Sequence, residues 1–377
     1  MTELPGLRPA WAEVDLDAVR ANTRALAEFA HPAALLAVVK ADGYGHGAAP
    51  VARAALDAGA TWLGVALVEE GIALRSAGID APILVLSEPP PAAAGAVVVH
   101  GLTPTVYTAS GVEALAKAVA DAGTGVPLSV HLKVDTGMHR VGCALEDAID
   151  LVELIAGRPE LELGAVCTHF AVADEPDHPY TGEQAERFDA LLAELDATGR
   201  RPRIVHAANS AGLLAHDRAR YDLVRVGIAL YGVPPAPALA GRVTLRPVLS
   251  LRAQVSHVKQ LPRGSRVSYG LRYELERDAR VATVPIGYAD GVPRNLGLAG
   301  GVVLVRGRRA PIAGTVTMDQ LMVDAGDVPV EVGDEVVLLG AQGEDEITAG
   351  EWAERLGTIA YEIVTGIGSR VPRRYTG

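Results

Sequence analysis

The segment LVRVGIALYGVPPAPALAGR, residues 223–242, joins a short apolar run to a loop rich in proline and glycine. The run is typical of a buried strand because it is rich in aliphatic and β-branched residues. Proline and glycine then end the regular pattern that precedes them. We therefore expect one domain to end near residue 242 and a different one to begin at residue 243.

Upstream of this segment, short apolar runs alternate with amphipathic stretches such as TGEQAERFDALLAELDATG. The runs are AALLAVV (33–39), WLGVAL (62–67), PILVLS (82–87), AVVVHG or PTVYT (within 96–108), LSVHLKV (128–134), LGAVCTHF (163–170) and RIVHAA (203–208). Residues 223–232 supply an eighth. Eight strands with helices between them predict an α/β fold, with a (β/α)8 barrel over residues 1–242 rather than an open doubly wound sheet.

Residues 243–377 have a different pattern. Segments such as LSLRAQVSHVKQL, RVATVPIGYADG and GGVVLVRGRRAPIAG alternate polar and apolar residues or run continuously apolar between tight turns. This pattern is typical of strands. We predict a mainly-β C-terminal domain with one late helix, TAGEWAERLGTIAYEIVTGIG.

Bulk properties restrict the class of partner. The 377 residues carry a net charge of −12, which argues against a nucleic-acid or anionic-membrane surface. The apolar runs are too short to span a bilayer, and the early acidic residues without an apolar stretch lead us to expect no secretory signal. Two cysteines provide neither a disulfide framework nor a CxxC motif. We expect a cytoplasmic protein.

Polar side chains occur where the predicted strands end. They are Lys40, Lys133 and Arg140 of KVDTGMHR, His169, Asn209, Ser210 and Arg225, and Gly227 follows close to the last of them. In a barrel the carboxyl ends of the strands share one face, where active sites form. Lys40 could simply cap its strand and extend to water, but the clustering of polar groups favours a functional role.

The chemistry available to these residues is limited. No carboxylate pair or serine nucleophile stands out, and the histidines lack metal-ligand spacing, so we expect no metal. A lysine at a barrel mouth with a glycine-containing loop near the last strands suits a Schiff base with pyridoxal phosphate (PLP). The cofactor would supply the electrophile that the side chains lack.

Eight motifs occur in an order that resembles the bacterial PLP-dependent alanine racemases. They are AVVKADGYGHG, KVDTGMHR, THFAVADE, HAANSAG, VRVGIALYG, VSYG, PIGYADG and GTVTMDQ. The resemblance runs from near residue 10 to the C-terminus and implies a PLP fold type III barrel followed by a β-domain. It implies alanine racemisation by two-base proton transfer on the PLP external aldimine, supplying D-alanine for peptidoglycan.

The resemblance also assigns roles to individual residues. It makes Lys40 the covalent PLP lysine and one base, and Tyr269 the opposite base. The other PLP-binding residues would be Tyr44, His169, Asn209, Ser210, Arg225, Gly227, Ile228 and Tyr361. Arg225 would face the ring nitrogen, and because arginine is effectively always protonated, it would disfavour protonation of the ring. Arg225 or a protonated His169 would help Tyr269 to act as a base.

The family's dimer would share its active sites, with Tyr269 and Met318 of one subunit reaching the partner's barrel. Arg140 and Met318 would bind the substrate carboxylate, and the resemblance suggests carbamylation of Lys133. Tyr288 and Asp319 would line the entrance. Thr315 and Thr317 depart from the family pattern, which often has arginine and cysteine there.

Other functions are also compatible with parts of the sequence. A broader serine and alanine racemase would need the same residues. A non-catalytic PLP carrier would lack residues 243–377 and Tyr269. A decarboxylase of this fold would pair the ring nitrogen with an acid rather than Arg225, and a lyase would commonly need a metal.

Overall fold

The computed structural model describes residues 7–123 and 125–377. The chain forms two compact units. The barrel unit consists of residues 19–43 and 48–246, and the β-unit consists of residues 44–47, 247–377 and the described part of residues 1–18.

The barrel unit contains an eight-stranded parallel sheet, numbered here as barrel strands 1 to 8 in chain order. They are Ala34–Val38, Trp62–Val65, Ile83–Val85, Thr103–Val106, Leu128–Lys133, Leu161–Cys167, Ile204–His206 and Leu223–Val226. Each of strands 1 to 6 pairs with the next strand, and strand 8 pairs with strand 1. Strands 7 and 8 are joined by backbone bonds from Asp222 to Val205 and from Arg225 to Ala208, of 3.0 and 2.9 Å. The predicted barrel is confirmed.

Helices precede and connect the barrel strands. They are Leu16–Ala30, Ala48–Asp57, Val68–Ser76, Ala94–Val99, Ala109–Ala122, Ala148–Ala156, Tyr180–Ala197 and Ser210–Ala215. They cover the outer face of the sheet, so strand side chains such as Leu35, Leu63 and Leu84 are buried. Burial on both faces explains why the strands read as continuous apolar runs. None of the helices in the described ranges has the length and apolar character needed to cross a membrane.

Two strand predictions need correction. AVVVHG is not a strand, because Ala94–Val99 is helical and PTVYT supplies barrel strand 4. The eighth strand was predicted to reach residue 232 but ends at Val226 and is followed by the 3₁₀ turn Ile228–Tyr231. The strand ends there because the Gly227 N–H bonds the Ser210 side chain rather than a neighbouring strand.

The β-unit contains three sheets built from short strands. The strands are Ala10–Asp15, Leu249–Gln254, His257–Leu261, Arg266–Val267, Tyr273–Glu274, Ala279–Val284, Val302–Val305, Arg308–Pro311, Leu321–Gly326, Glu335–Gln342, Asp345–Ile347 and Arg373–Thr376. Strand Ala10–Asp15 lies between Leu249–Gln254 and Arg373–Thr376 in the largest sheet. The N-terminal strand therefore belongs to the β-unit, and its neighbours are mostly distant in sequence.

The late helical segment of the β-unit differs from its prediction as one helix. It forms two helices, Ala349–Leu356 and Ala360–Thr365. Gly357 separates them with a φ of 67°, a left-handed conformation that glycine adopts readily at the end of a helix. The predicted contribution of residues 243–377 to a partner's active site stays a prediction.

Candidate active site

The predicted polar residues of the barrel unit follow or end its parallel strands. Lys40 comes two residues after barrel strand 1, Lys133 is the last residue of strand 5, and His169 lies two residues beyond strand 6. Ser210 begins the helix after strand 7, and Arg225 lies within strand 8. Because carboxyl ends of parallel strands face the same side, these groups share the barrel mouth.

A cluster of cationic groups occupies this mouth. Burial lowers the pKa of Lys40, and the nearby charge of Arg140 lowers it further while Glu70 opposes the shift. Burial lowers the pKa of Lys133 and Arg225, and the same Arg140 charge lowers both further. Cations held this close repel one another unless an anion lies between them. The mouth is therefore suited to a negatively charged ligand.

Arg140 has no hydrogen bond or ion pair with any described residue. Its side chain is exposed at the end of the loop 135–140, close enough to influence the pKa of Lys40, Lys133 and His169. A guanidinium group with free donors binds a carboxylate well, because its fork can make two parallel hydrogen bonds.

Lys133 is buried, and the part of the chain that the structure describes provides it with no hydrogen-bond partner. Burial lowers its pKa to about 8, with the nearby Arg225, Arg140 and Lys40 lowering it and the Cys167 thiol opposing them. A buried lysine without a counter-ion is costly in its charged form. A substantial fraction of the Lys133 amine is therefore neutral near pH 8.

Arg225 is the centre of a buried polar network, with only 6% of its surface exposed. The two hydrogens of its Nη2 are shared among three acceptors, the carbonyl oxygens of Thr168 and Ala207, 2.8 and 2.9 Å away, and Nδ1 of His169 at 3.1 Å. Its Nη1 donates to Nδ1 of His206 at 2.7 Å. No described residue accepts from its Nε–H, so this donor is available to a ligand atom.

The donors of Arg225 determine the protonation of two buried histidines. Arginine can only donate, so Nδ1 of His206 must accept and its proton lies on Nε2. His206 Nε2 lies 3.0 Å from Nδ1 of His131, which must accept in turn. Burial and the Arg225 charge lower the pKa of His206 well below its usual value and that of His131 to about 3. Both rings are therefore neutral.

His169 is also neutral, which corrects the expectation of a protonated group. Burial lowers its pKa well below the ordinary value, and the charges of Arg225, Lys133, Arg140 and Lys40 lower it further. Its Nδ1 accepts from Arg225, which leaves the proton on Nε2. Help for a tyrosine base would have to come from the arginine and lysine charges instead.

Three of the predicted PLP-binding residues, Ser210, Gly227 and Ile228, follow barrel strands 7 and 8. Ser210 Oγ accepts from the backbone N–H groups of Gly227 and Ala229, at 2.9 and 3.4 Å. Asn209, rather than Ser210, caps the following helix, because its Oδ1 accepts from Gly212 N at 2.8 Å. Ser210 therefore remains available at the barrel mouth, together with the turn that begins at Ile228.

The backbone after Lys40 has an unusual conformation. Residues 41–44 all have positive φ angles, between 51° and 62°. This left-handed conformation costs roughly 1–2 kcal/mol for each residue other than glycine. The Glu70 carboxylate helps to hold the turn by accepting from Ala41 N at 2.6 Å. Strained backbone of this kind is concentrated at functional sites.

The β-unit places the other predicted residues on its surface or among its own side chains. Tyr269 and Met318 are 70% and 52% exposed. Thr315 Oγ1 donates to the Tyr269 carbonyl oxygen at 3.2 Å, so this departure from the family pattern supports the tyrosine turn. Thr317 Oγ1 donates to Gln320 O at 2.7 Å.

The β-unit also carries the predicted entrance residues, Tyr288 and Asp319, and two predicted PLP-binding tyrosines, Tyr44 and Tyr361. Tyr288 is 38% exposed, and Asp319 accepts a 2.7 Å bond from Arg370. The rings of Tyr44 and Tyr361 lie 6.2 Å apart. Burial raises the pKa of Tyr44 to about 12, so its hydroxyl group remains protonated at neutral pH.

Sequence reasoning missed the buried residues that support this site. His131 and His206 occur inside the apolar runs LSVHLKV and RIVHAA, and a polar residue in such a run was the available signal. Gln184, which bonds the loops after barrel strands 5 and 6, lies in an ordinary amphipathic helix and carried no comparable signal.

Family models cover both units of the chain. The model of the N-terminal domain of alanine racemase matches residues 14–235, and the model of the C-terminal domain matches residues 248–375. The chain belongs to the alanine racemase family. The recognition made from the motifs is thereby confirmed, and alanine racemases generally use PLP.

Individual alanine racemases resemble the chain along its length. The alanine racemase of Symbiobacterium thermophilum is 53% identical over 376 residues, which cover 100% of this chain and 99% of the relative. The crystal structure of alanine racemase from Streptomyces lavendulae matches with a TM-score of 0.93 and 43% identity, covering 100% and 98% of the two chains. The crystal structure of the Bacillus anthracis alanine racemase with bound L-Ala-P matches with a TM-score of 0.91 and 41% identity. The match covers 99% of this chain and 96% of that chain.

Proposed function

We propose that this alanine racemase interconverts L-alanine and D-alanine with PLP, and that Lys40 and Tyr269 are its two bases. The observation that carries this proposal is the position of Lys40, which lies at the barrel mouth with its pKa lowered by burial and by Arg140. A lowered pKa increases the fraction of neutral amine, the form that can attack a carbonyl or remove a proton. The product would supply D-alanine for peptidoglycan synthesis.

The barrel residues fit PLP in charge and hydrogen bonding. Lys40 would hold the cofactor covalently, and the unused Nε–H of Arg225 fits a ring nitrogen that accepts a hydrogen bond. Ser210, Gly227 and Ile228 would hold the phosphate, and His169, Asn209, Tyr44 and Tyr361 would complete the cofactor site. When bound, PLP withdraws electrons from the substrate's α-carbon and makes its proton easier to remove.

The two bases act on opposite sides of the α-carbon. Racemisation requires one group to remove the proton and another to return a proton to the other face. Lys40 would serve one face and the phenolic oxygen of Tyr269 the other. With PLP bound, Arg225 would keep the ring nitrogen unprotonated, because a guanidinium group facing that nitrogen can only donate a hydrogen bond.

The exposure of Tyr269 supports a shared site in a homodimer. A base for this reaction needs surroundings that exclude water, but Tyr269 is 70% exposed. Leu271 and Met318, which are 56% and 52% exposed, accompany it on the β-unit. Exposed apolar side chains of this size are typical of an interface. We propose a head-to-tail dimer in which Tyr269 and Met318 enter the partner's barrel.

The substrate carboxylate would bind Arg140, with the backbone N–H of the partner subunit's Met318 beside it. We also propose that Lys133 is carbamylated. Carbon dioxide reacts with a neutral amine, and the lowered pKa of Lys133 provides one. The resulting anion would also neutralise part of the positive charge at the barrel mouth. Tyr288 and Asp319 would restrict the entrance to small amino acids.

Directional proton exchange tests the two-base assignment. Each alanine enantiomer is incubated in deuterated water with wild-type protein, Tyr269→Phe or Tyr273→Phe, and the α-deuterium content is measured. Tyr273 is the matched control, because its hydroxyl group donates to Asp324 within the β-unit. Tyr269→Phe is expected to slow exchange of the α-proton of one enantiomer by roughly 10²- to 10⁴-fold. Removal of the α-proton from the other enantiomer should continue at the wild-type rate.

Two outcomes of this experiment would contradict the proposal. Unchanged exchange from both enantiomers in Tyr269→Phe would remove Tyr269 from the reaction. Absence of D-alanine formation by the wild-type protein with PLP would contradict the function itself. A chiral assay that includes serine would distinguish an alanine enzyme from a broader racemase.

A further inference from the structure

One face of the helix Tyr180–Ala197 holds the loop that carries Arg140. Tyr180, Gln184 and Arg187 are spaced by four and three residues, so they lie on one side of the helix. The Tyr180 hydroxyl donates to Gly137 O at 3.0 Å, and Arg187 Nη1 donates to Thr136 O at 2.9 Å. Gln184 Nε2 donates to Thr136 Oγ1 at 3.2 Å. All three side chains bond the same short segment.

Gln184 also reaches a second loop of the barrel mouth. Its Nε2 donates to His169 O at 3.1 Å, and its Oε1 accepts from Ala171 N at 2.9 Å. The side chain is fully buried, so these bonds do not compete with water. One amide therefore joins the loops after barrel strands 5 and 6, which carry Arg140 and His169. A primary amide provides the two donors and the acceptor that this position requires.

Hydrogen bonds within the loop 135–140 hold its backbone as far as His139. Asp135 Oδ1 accepts from the backbone N–H groups of Gly137, Met138 and His139, at 2.9, 2.9 and 3.1 Å. The Arg140 guanidinium has no partner among the described residues. The backbone of the loop alone therefore sets the position from which the Arg140 side chain extends. A shift of the loop would therefore move Arg140 directly.

We propose that Gln184 is a positioning residue that places Arg140 for the carboxylate of the substrate by joining loop 135–140 to the His169 loop. This inference rests on the proposed function, because that function assigns the carboxylate to Arg140. Gln184 acts through the loop, and its influence should appear mainly in the binding of carboxylates.

Gln184→Met tests this role, because methionine has a similar length and forms no comparable hydrogen bonds. The PLP-loaded enzyme is assayed with alanine, and propionate binding is measured by calorimetry because propionate has the carboxylate without the amine. We expect KM for alanine and Kd for propionate to rise together by roughly three- to thirtyfold, with kcat changed by less than about twofold. Hydrogen exchange in substrate-free enzyme should accelerate at residues 136–140.

Thr181→Val is the matched control on the same helix. Thr181 is buried, and its hydroxyl oxygen has no hydrogen-bond partner among the described residues, so valine should leave KM, Kd and loop exchange unchanged. Thr136→Val is the second test, since it removes the Gln184 contact from the loop side. Thr136→Val should also raise both KM and the propionate Kd. It keeps the proposal testable if Gln184→Met does not fold.

The proposal is overturned if a folded Gln184→Met, or Thr136→Val in its place, retains the wild-type KM and propionate Kd. A fall in kcat with KM unchanged would also overturn it, because a general structural defect acts in that way. Failure of the wild-type enzyme to racemise alanine would instead contradict the proposed function. Propionate binding and hydrogen exchange would still decide the role of Gln184 in that case.

Discussion

Arg225 donates a hydrogen bond from Nη1 to Nδ1 of His206 over 2.7 Å in the interior of the barrel unit. Because a guanidinium group cannot accept, this contact determines the position of the proton on His206 and, through it, on His131. The network holds a cation where a PLP enzyme of another type would hold an acid. It therefore links the stability of the barrel to the chemistry proposed for its mouth.

Arg225→Met is expected to destabilise the barrel strongly. The carbonyl groups of Thr168 and Ala207 and the Nδ1 of His206 would lose their donor in a buried site. We expect the free energy of unfolding to fall by roughly 2–5 kcal/mol in urea denaturation. Arg218→Met is the control, because Arg218 pairs with Asp189 on the surface and should cost less than about 1 kcal/mol. Equal losses in the two variants would contradict a central role for Arg225.

The buried histidines predict a loss of stability in acid. His131 has a folded-state pKa of about 3, whereas the unfolded chain takes up this proton near pH 6.5. The unfolded chain therefore binds more protons between these values, and the free energy of unfolding falls as the pH is lowered through this window. Each such histidine contributes at most about 1.4 kcal/mol per pH unit. His169 and His206 act in the same direction.

His131→Asn tests the contribution of one histidine to this slope. Asparagine does not titrate, and its side-chain oxygen can accept the proton of His206 Nε2. Urea denaturation between pH 7 and pH 5 should show a smaller decline in the variant than in wild type. His257→Gln is the control, since His257 is exposed and should leave the slope unchanged. An identical slope for His131→Asn would refute the neutral state of His131.

Lys40→Ala should abolish both functions proposed for Lys40. The absorbance of PLP bound covalently to the protein should disappear. Racemisation in both directions should fall by at least roughly 10³-fold, because the covalent anchor and one base are removed together. Lys117→Ala is the matched control, because Lys117 is an exposed lysine paired with Asp121. Retention of the absorbance in Lys40→Ala would place the covalent link on another residue.

Carbamylation of Lys133 predicts a signal that does not depend on turnover. Protein equilibrated with ¹³C-labelled bicarbonate should show a carbamate carbonyl resonance, because the pKa of about 8 leaves neutral amine available. Lys133→Gln should lack the resonance, and Lys259→Gln, which removes an exposed lysine of the β-unit, should retain it. A wild-type protein without the resonance would have an unmodified Lys133.

Much of the barrel was predictable because its signals are local. Apolar runs, helical periodicity and turn residues predicted all eight barrel strands, although one run within 96–108 proved helical. Lys40, Lys133 and His169 were found because they occur where those strands end. The late helix was predicted as one element because periodicity continues across Gly357, whose φ of 67° divides it.

The sequence by itself determined the barrel, the mainly-β second unit, the family and the residue types available at the barrel mouth. Only the tertiary structure decided where the protons of the buried histidines lie and which side chains hold the loop 135–140 that carries Arg140. His131 and His206 are 75 residues apart, and Gln184 and Thr136 are 48 apart. Such contacts leave no periodic signal, because they depend on where separate strands and helices bring single side chains together. The neutrality of His169 likewise follows from burial and neighbouring cations, which exist only in the folded chain.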